Sequence, residues 1–196
     1  SQSLDIELVG QRIVESVCRL IDTQAATLFR LDHQSGDLVV VAIAGDVGPT
    51  FERGRLFPPG TGATGLAVLT RQPVMTPDVL ADPRITLTPE VRGRIESAKY
   101  RSVLAVPLLV QDRVIGALGV GDRAGRVFGP EEIELAQAFA DRAALALESA
   151  RLYKEVRDAR DFLQSITESS IDAIFTADVH GRMTYFSPGA TEIFGY

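Results

Sequence analysis

Residues 102–121 read SVLAVPLLVQDRVIGALGVG and decide the fold. Two apolar runs, Ser102–Val110 and Arg113–Gly121, are separated only by Gln111 and Asp112. Runs of this length with a two-residue separation predict a tight antiparallel hairpin. We therefore expect a sheet of antiparallel strands around this hairpin.

The second strand of the hairpin carries three small residues on one face, because side chains alternate along a strand. They are Ala117, Gly119 and Gly121. Small residues let a helix approach closely, and a long helical pattern follows from Pro130 to about Ile166. We expect its first half to pack on this face of the sheet, beside an N-terminal helix, through Ala136, Ala140, Ala143, Ala144 and Ala146.

The remaining elements follow from apolar periodicity and turn residues. The first 20 or so residues have the spacing of an amphipathic helix. In chain order we then predict strands Ala25–Leu31 and Leu38–Ala44, a loop Gly45–Pro59, a helix Gly65–Arg71, a strand Pro73–Met75, an irregular stretch Pro77–Ile85 and a helix Thr88–Ser97. Thr88 is the expected cap of the last helix, with Pro89 at its first position.

The second half of the long helix has a different pattern. Apolar residues recur at spacings of three and four, as in a coiled-coil seam. The seam residues are Leu152, Val156, Ala159, Leu163 and Ile166. A short parallel coiled coil between two copies of the chain is one interpretation, and a solvated amphipathic helix is the other.

The last residues resemble the opening of another domain. Strands are predicted at Ala173–Ala177 and Met183–Phe186, and a short helix at Pro188–Phe194. Two strands and a short helix cannot bury a core of their own. We therefore expect this chain to be an internal part of a longer protein, in keeping with its lack of an initiator Met.

The residues up to about Leu152 resemble a GAF domain. The resemblance rests on the glycine-rich Gly60–Gly65 leading into a helix, on the hairpin, and on the sequence FGPEE at Phe128–Glu132. It implies an α+β fold, with terminal helices on one face of an antiparallel sheet and a ligand pocket on the other. GAF domains are small-molecule sensors in many signalling proteins.

The segment Phe162–Tyr196 resembles the start of a PAS domain. Ile171–Asp178 is similar to its first strand, and Ser187–Ala190 with Phe194–Tyr196 to its first helix. Ser187 stands where the family usually has Asn. The two resemblances imply a GAF sensor domain at 1–152, a signalling helix at 153–168 and a PAS fragment at 169–196.

Seven residues are candidates for contact with a pocket ligand. The GAF resemblance places Asp78, Asp82 and Arg84 beside the pocket, where they would hold a polar ligand. The alternative is structural: Asp78 caps a turn and Arg84 pairs with Asp82. The other candidates are Phe29, Thr64, Tyr100 and Ser102, with core packing as the alternative for the aromatic residues.

Several ligand classes are disfavoured by the sequence. Gly60–Gly65 matches GxGxxG, but a dinucleotide site needs a preceding buried strand and a parallel sheet. The Asn-Lys pair of cyclic-nucleotide-binding GAF domains is replaced by Asp122-Arg123. Cys18, the single cysteine, has no neighbouring His for covalent bilin attachment, and His33 and His180 are too isolated to suggest haem or another metal site.

Composition limits the partners and the compartment. A net charge of −6 without a basic run argues against nucleic-acid binding. No apolar run is long enough to span a membrane, and one unpaired cysteine fits a reducing cytoplasm.

We expect a homodimeric sensory input module that binds an unidentified small molecule. Its output domain is expected outside these 196 residues, in a longer protein, with a histidine kinase as the first choice and a diguanylate cyclase as the second. No catalytic residues are predicted. The rivals are an interaction module with a filled pocket, and a small sulfoxide-reducing enzyme.

Overall fold

The computed structural model describes residues 2–47, 51–169 and 174–195. The helices are α1 (Gln2–Ile21), α2 (Gly62–Thr70), α3 (Pro89–Ser97), α4 (Pro130–Ser169) and α5 (Pro188–Phe194). The strands are β1 (Ala25–Leu31), β2 (Leu38–Gly45), β3 (Leu56–Phe57), β4 (Val74–Thr76), β5 (Ser102–Val110), β6 (Arg113–Asp122), β7 (Phe175–Ala177) and β8 (Met183–Phe186). The fold is α+β, as predicted.

The chain divides into two compact units, Ser1–Ala150 and Arg151–Tyr196, and α4 runs across the division. The first unit contains a six-stranded sheet in the order β3-β2-β1-β6-β5-β4. Every neighbouring pair in it is antiparallel. The second unit contains the antiparallel pair β7-β8.

The predicted hairpin lies at the centre of the sheet. Val110 pairs with Arg113 across the two-residue turn. Gln111 adopts the left-handed conformation with φ of 53°, as such turns require. The register continues to Ser102 opposite Asp122, with one irregularity after Leu108. This prediction is confirmed over its full length.

The two terminal helices pack together on one face of the sheet. Val14 and Val17 of α1 belong to the same buried cluster as Ala140 and Ala144 of α4 and as Leu118 of β6. All five side chains are fully buried. The predicted packing of the first half of α4 beside the N-terminal helix is thus confirmed.

The small residues of β6 do not face α4, and this part of the prediction is wrong. A β-carbon added at Gly119 would lie 3.1 Å from Cγ2 of Thr64 in α2, and one at Gly121 would lie 3.0 Å from Cγ of Tyr100. Ala117 shares their face by alternation, whereas α4 packs on the face of Leu118. The helix that approaches closely is therefore α2.

Some shorter elements differ from the prediction. The loop after β2 contains the two-residue strand β3, which pairs with the start of β2. Helix α2 begins at Gly62 instead of Gly65, because the chain leaves the extended conformation directly after Thr61. Helix α3 begins as predicted, with the Thr88 hydroxyl accepting the N–H of Val91. Both edge strands of the sheet, β3 and β4, are only two and three residues long.

In the second unit the apolar seam of α4 is exposed. Leu152, Val156, Leu163 and Ile166 are 48%, 70%, 62% and 47% exposed. Strands β7 and β8 and helix α5 form where the sequence predicts them, although Ala173 lies outside the described residues. The Ser187 hydroxyl caps α5 by accepting the N–H of Ala190.

Candidate ligand pocket

An apolar cavity of about 60 Å³ lies between the sheet and helices α2 and α3. Strands β1, β5 and β6 form its floor, and the N-terminus of α2 and one face of α3 border it. A site for one water needs about 10–15 Å³, so the cavity has room for a compact molecule. Sites for drug-sized ligands are larger, at about 300–1,000 Å³.

Aromatic side chains occupy much of the space around the cavity. Phe57 packs edge-on against Phe29 with ring centres 5.5 Å apart, and stacks on Phe51 at 5.1 Å. The Phe51 ring also lies 6.0 Å from the ring of Tyr100. Phe29, Phe57 and Tyr100 are buried. The cavity is therefore narrow and has one aromatic side.

The glycine-rich stretch before α2 brings the helix N-terminus to the cavity. Gly60 and Gly62 have φ of 70° and 74°, which side chains disfavour. At Gly65 the Gly60 backbone lies so close that a β-carbon would be 2.5 Å from the Gly60 carbonyl carbon. These constraints explain GxGxxG without a nucleotide, and the surrounding sheet is antiparallel, unlike that of a dinucleotide site.

Three of the side chains that line the cavity carry hydroxyls with no hydrogen bond in the described part of the chain. Among the described residues, the buried side chains of Thr76, Ser102, Asp122 and Ser187 all take part in hydrogen bonds. In the same part of the chain, no hydrogen bond reaches the side-chain hydroxyls of three other buried residues. These three, Thr27, Thr61 and Tyr100, all line the cavity.

The structure separates the predicted ligand residues into two groups. Phe29, Thr64 and Tyr100 line the cavity. Asp78, Asp82, Arg84 and Ser102 are not among its lining residues. Ser102 donates its hydroxyl to the Arg126 carbonyl at 2.7 Å. A ligand-binding role for any of the seven remains a prediction.

The acidic and basic candidates hold the irregular stretch after β4 together. Asp78 accepts the N–H of Leu80 through Oδ1 at 2.9 Å. Arg84 binds Asp82 at 2.6 Å and donates to the Met75 carbonyl at 2.9 Å. The Arg84 guanidinium holds the pKa of the Asp82 carboxyl well below its usual range. This is the local pairing given above as the alternative to ligand binding.

Thr27, Thr61, Phe51 and Phe57 are lining residues that the sequence analysis did not select. The sequence could have predicted Thr27, because this residue lies two positions before Phe29 on the same strand and so shares its face. Phe51 and Phe57 lie in a loop without periodicity, and no local pattern indicates where their rings point.

Beside the pocket, Arg126 joins three parts of the first unit. Its guanidinium pairs with Asp122 of β6 and with Glu132 of α4, the latter at 2.7 Å. It also donates to the carbonyl of Ile21, the last residue of α1, at 2.7 Å, and to that of Asp22 at 2.5 Å. The pocket strand β6 is thereby connected to both terminal helices.

Other kinds of site find little support in the described part of the chain. No group of three or more His, Cys, Asp or Glu residues able to hold a metal ion occurs there. Burial raises the pKa of the Cys18 thiol to about 11, so it is protonated at neutral pH. No helix in the described ranges is long and apolar enough to cross a membrane.

The sequence matches the GAF domain family over residues 5–147, and the chain belongs to this family. Such domains are typically sensory or regulatory modules of signalling proteins. The match does not extend to residues 148–196.

Solved structures share the fold. The GAF domain of a phosphoenolpyruvate-protein phosphotransferase from Coxiella burnetii is 22% identical, with a TM-score of 0.67 over 76% of this chain and 86% of that chain. A type II free methionine-R-sulfoxide reductase from Thermoplasma acidophilum is 20% identical, with a TM-score of 0.60 over 76% of this chain and 96% of that chain. The blue-light absorbing form of the PixJ GAF domain from Thermosynechococcus elongatus is 18% identical, with a TM-score of 0.63 over 81% of this chain and 94% of that chain. Their different activities mean that the fold alone assigns none.

Proposed function

We propose that this chain is the sensory input part of a cytoplasmic signalling protein, in which a small molecule in the GAF pocket changes the packing of a dimeric helix. The observation that carries the proposal is the difference between the two halves of α4. Its first half is part of the buried core, and its second half exposes an apolar seam. One continuous helix therefore has one part that is packed in the core and another part that is open to a partner.

Arg126 supports a connection between pocket and helix. Gly121 of β6 lines the cavity, and Asp122, the next residue, binds Arg126. Arg126 in turn binds Glu132 in the first turn of α4. A ligand that favours one arrangement of β6 would bias the packing of α4 by its difference in affinity for the two arrangements.

The dimer is tested by sedimentation of the 196-residue chain from about 5 to 300 µM. We expect a concentration-dependent parallel dimer through the seam. Val156→Glu places a charge on the seam and should shift the chain to monomer. Lys154→Gln makes the same unit change in charge at an exposed position off the seam and should leave the dimer intact. A monomeric parent chain at 300 µM would contradict the proposal.

A second candidate function is an interaction module that binds no small molecule. The observation in its favour is the narrow cavity, bordered by four aromatic rings. The two functions make the same dimer prediction but differ in whether any compact molecule binds the cavity. Binding of any probe in the experiment of the next subsection would therefore favour the sensory function.

The remaining parts of the proposal concern the longer protein. Residues 1–152, 153–168 and 169–196 are proposed as the GAF domain, the signalling helix and the start of a PAS domain. The output domain is proposed as a histidine kinase, with a diguanylate cyclase as the alternative. The chain itself is proposed to lack catalysis, and sulfoxide reduction that is lost in Cys18→Ser would overturn this.

A further inference from the structure

The N-terminus of α2 presents unused hydrogen-bond donors to the cavity. The N–H of Gly62 is bound to the Thr86 carbonyl at 2.9 Å, and that of Gly65 to the Thr61 carbonyl at 3.2 Å. The N–H groups of Ala63 and Thr64, between them, have no acceptor in the described ranges. The Thr61 side chain does not cap the helix. Such a terminus favours an acceptor atom, through its free N–H groups and its partial positive charge.

The unpartnered hydroxyls are an independent indication of a ligand. Thr27, Thr61 and Tyr100 are only 5%, 3% and 8% exposed. They come from three separate segments, and all three line the same cavity. Among the described residues, Tyr185 Oη is the fully buried side-chain polar atom without a partner, so the hydroxyls of Thr27, Thr61 and Tyr100 are instead open to the cavity. A molecule in the cavity can therefore form hydrogen bonds with them.

The size and lining of the cavity limit that molecule. About 60 Å³ admits only a few non-hydrogen atoms. Phe29, Phe51 and Phe57 offer apolar contact away from the α2 terminus. A ligand that fits has a short hydrocarbon part beside the rings and one polar end beside the donors.

The charge of the ligand is limited in the same way. No Asp, Glu, Lys, Arg or His is among the described residues that line the cavity. Burying an ion without an opposite charge is far more costly than burying a neutral polar group. The partial charge of one short helix does not replace a salt-bridge partner. An uncharged molecule is therefore favoured over an anion or a cation.

We propose that the GAF pocket binds a compact, uncharged molecule with an oxygen acceptor, of the class of short-chain amides and ketones. Its oxygen accepts hydrogen bonds from the hydroxyls of Thr61 and Tyr100, and it lies beside the partial positive charge of the α2 N-terminus. Its hydrocarbon part packs against Phe29 and Phe57. This inference rests on the proposed sensory function and adds the chemical class of the ligand.

The test measures binding of three probes with the same branched four-carbon skeleton to the 196-residue chain. Isobutyramide is the uncharged acceptor, isobutyrate the anion and isobutylammonium the cation. Dissociation constants are measured from amide chemical-shift changes in NMR titrations. We expect isobutyramide to bind at least tenfold more tightly than either ion, with shifts concentrated at residues 61–65, 100 and 119–121.

Two isosteric variants locate the polar end. Thr61→Val and Tyr100→Phe each remove one hydroxyl and should weaken isobutyramide binding about three- to tenfold, the equivalent of one hydrogen bond. Neither should lower the urea midpoint of the probe-free chain, because neither hydroxyl has a protein partner in the described ranges. The matched control is Thr76→Val, since that buried hydroxyl accepts the Asp78 N–H and does not line the cavity. It should lower the urea midpoint and leave isobutyramide binding unchanged.

Each contrary result has its own meaning. Tighter binding of either ion overturns the uncharged class but keeps a ligand pocket. Unchanged isobutyramide affinity in both Thr61→Val and Tyr100→Phe overturns the assigned polar end. If no probe binds, the assigned ligand class is wrong. The dimeric helix of the proposed function is tested separately, by sedimentation.

Discussion

At Gly65 the helix and the preceding loop touch backbone to backbone. A β-carbon there would lie 2.5 Å from the carbonyl carbon and 2.9 Å from the Cα of Gly60. Neither atom belongs to a side chain that can turn away, so the α2 terminus would have to move. The same terminus carries the free N–H groups of the pocket, and Gly65 therefore affects both stability and binding geometry.

We expect Gly65→Ala to lower the free energy of unfolding by about 2 kcal/mol, within the range for overpacking a buried site. Gly93→Ala is the matched control, because Gly93 is also a helical glycine but a β-carbon added there would have no atom within 4 Å. It should raise stability by up to about 1 kcal/mol, through helix propensity alone. Urea unfolding measures both. Equal effects of the two variants would show that the close approach is not limiting.

Individual residues differ in how far the sequence alone predicts them. The Thr88 cap follows from a local rule, and the Asp82–Arg84 pair is one of two interpretations that neighbouring residues allow. The unpartnered state of Thr27, Thr61 and Tyr100 cannot be predicted locally. It depends on which groups from distant segments of the chain lie beside each hydroxyl in the folded structure.

At the scale of elements, α4 combines two patterns along one helix. Its alanines are buried against the core, whereas Leu152, Val156 and Leu163 are exposed. The change falls near Ala150, where the two compact units meet in the chain. Disrupting the helix beyond this point should therefore spare the GAF core.

We expect Ala159→Pro to leave the core folded and to abolish the dimer, because proline inside a helix costs about 3 kcal/mol and removes a hydrogen bond. Hydrogen exchange of β1, β5 and β6 amides should match the parent, while protection around residues 155–163 is lost. In the longer signalling protein proposed above, the variant should uncouple input from output. Ala159→Gly, which costs only about 1 kcal/mol, is the control and should largely retain the dimer. Loss of protection in β5 and β6 would contradict the division of α4.

The elements also show where pattern alone is insufficient. Alternation correctly groups Ala117, Gly119 and Gly121 on one face, but it does not say which helix covers that face. Both candidate helices, α2 and α4, are rich in small residues. The choice follows from the path of the chain: Gly60 and Gly62 turn α2 onto the pocket face, and that path is tertiary information.

At the scale of the whole molecule, ion pairs make the stability of the first unit depend on pH. Burial alone would raise the pKa of Glu132, but the Gly129 N–H and the Arg126 guanidinium outweigh it and lower that pKa below its ordinary value of 4.5. The pKa of Asp82 is lowered by Arg84. A carboxyl with a lowered pKa in the folded state stabilises the fold fully above its unfolded pKa, and this stabilisation is lost as the pH falls towards its folded pKa.

We therefore expect the free energy of unfolding to be nearly constant between pH 7 and about pH 5.5 as far as these groups contribute, and to fall as the pH drops below about 4.5. Glu132→Gln should be less stable than the parent at pH 7 and should lose less on acidification. Glu131→Gln removes a neighbouring carboxylate with no ion pair in the described ranges and serves as control. Urea unfolding at several pH values measures the effect. A steeper acid loss in Glu132→Gln than in the parent would contradict the assigned role.

The lengths of the two border strands of the sheet affect the tendency of the protein to aggregate at high concentration. A long unpaired strand at the border of a sheet is a template for aggregation, because its free N–H and C=O groups can pair with another molecule. Here the border strands β3 and β4 offer two and three residues. Where β5 continues past β4, Pro107 and Leu108 are fully buried. The borders of the sheet therefore offer few free backbone groups for pairing with the sheet of another copy.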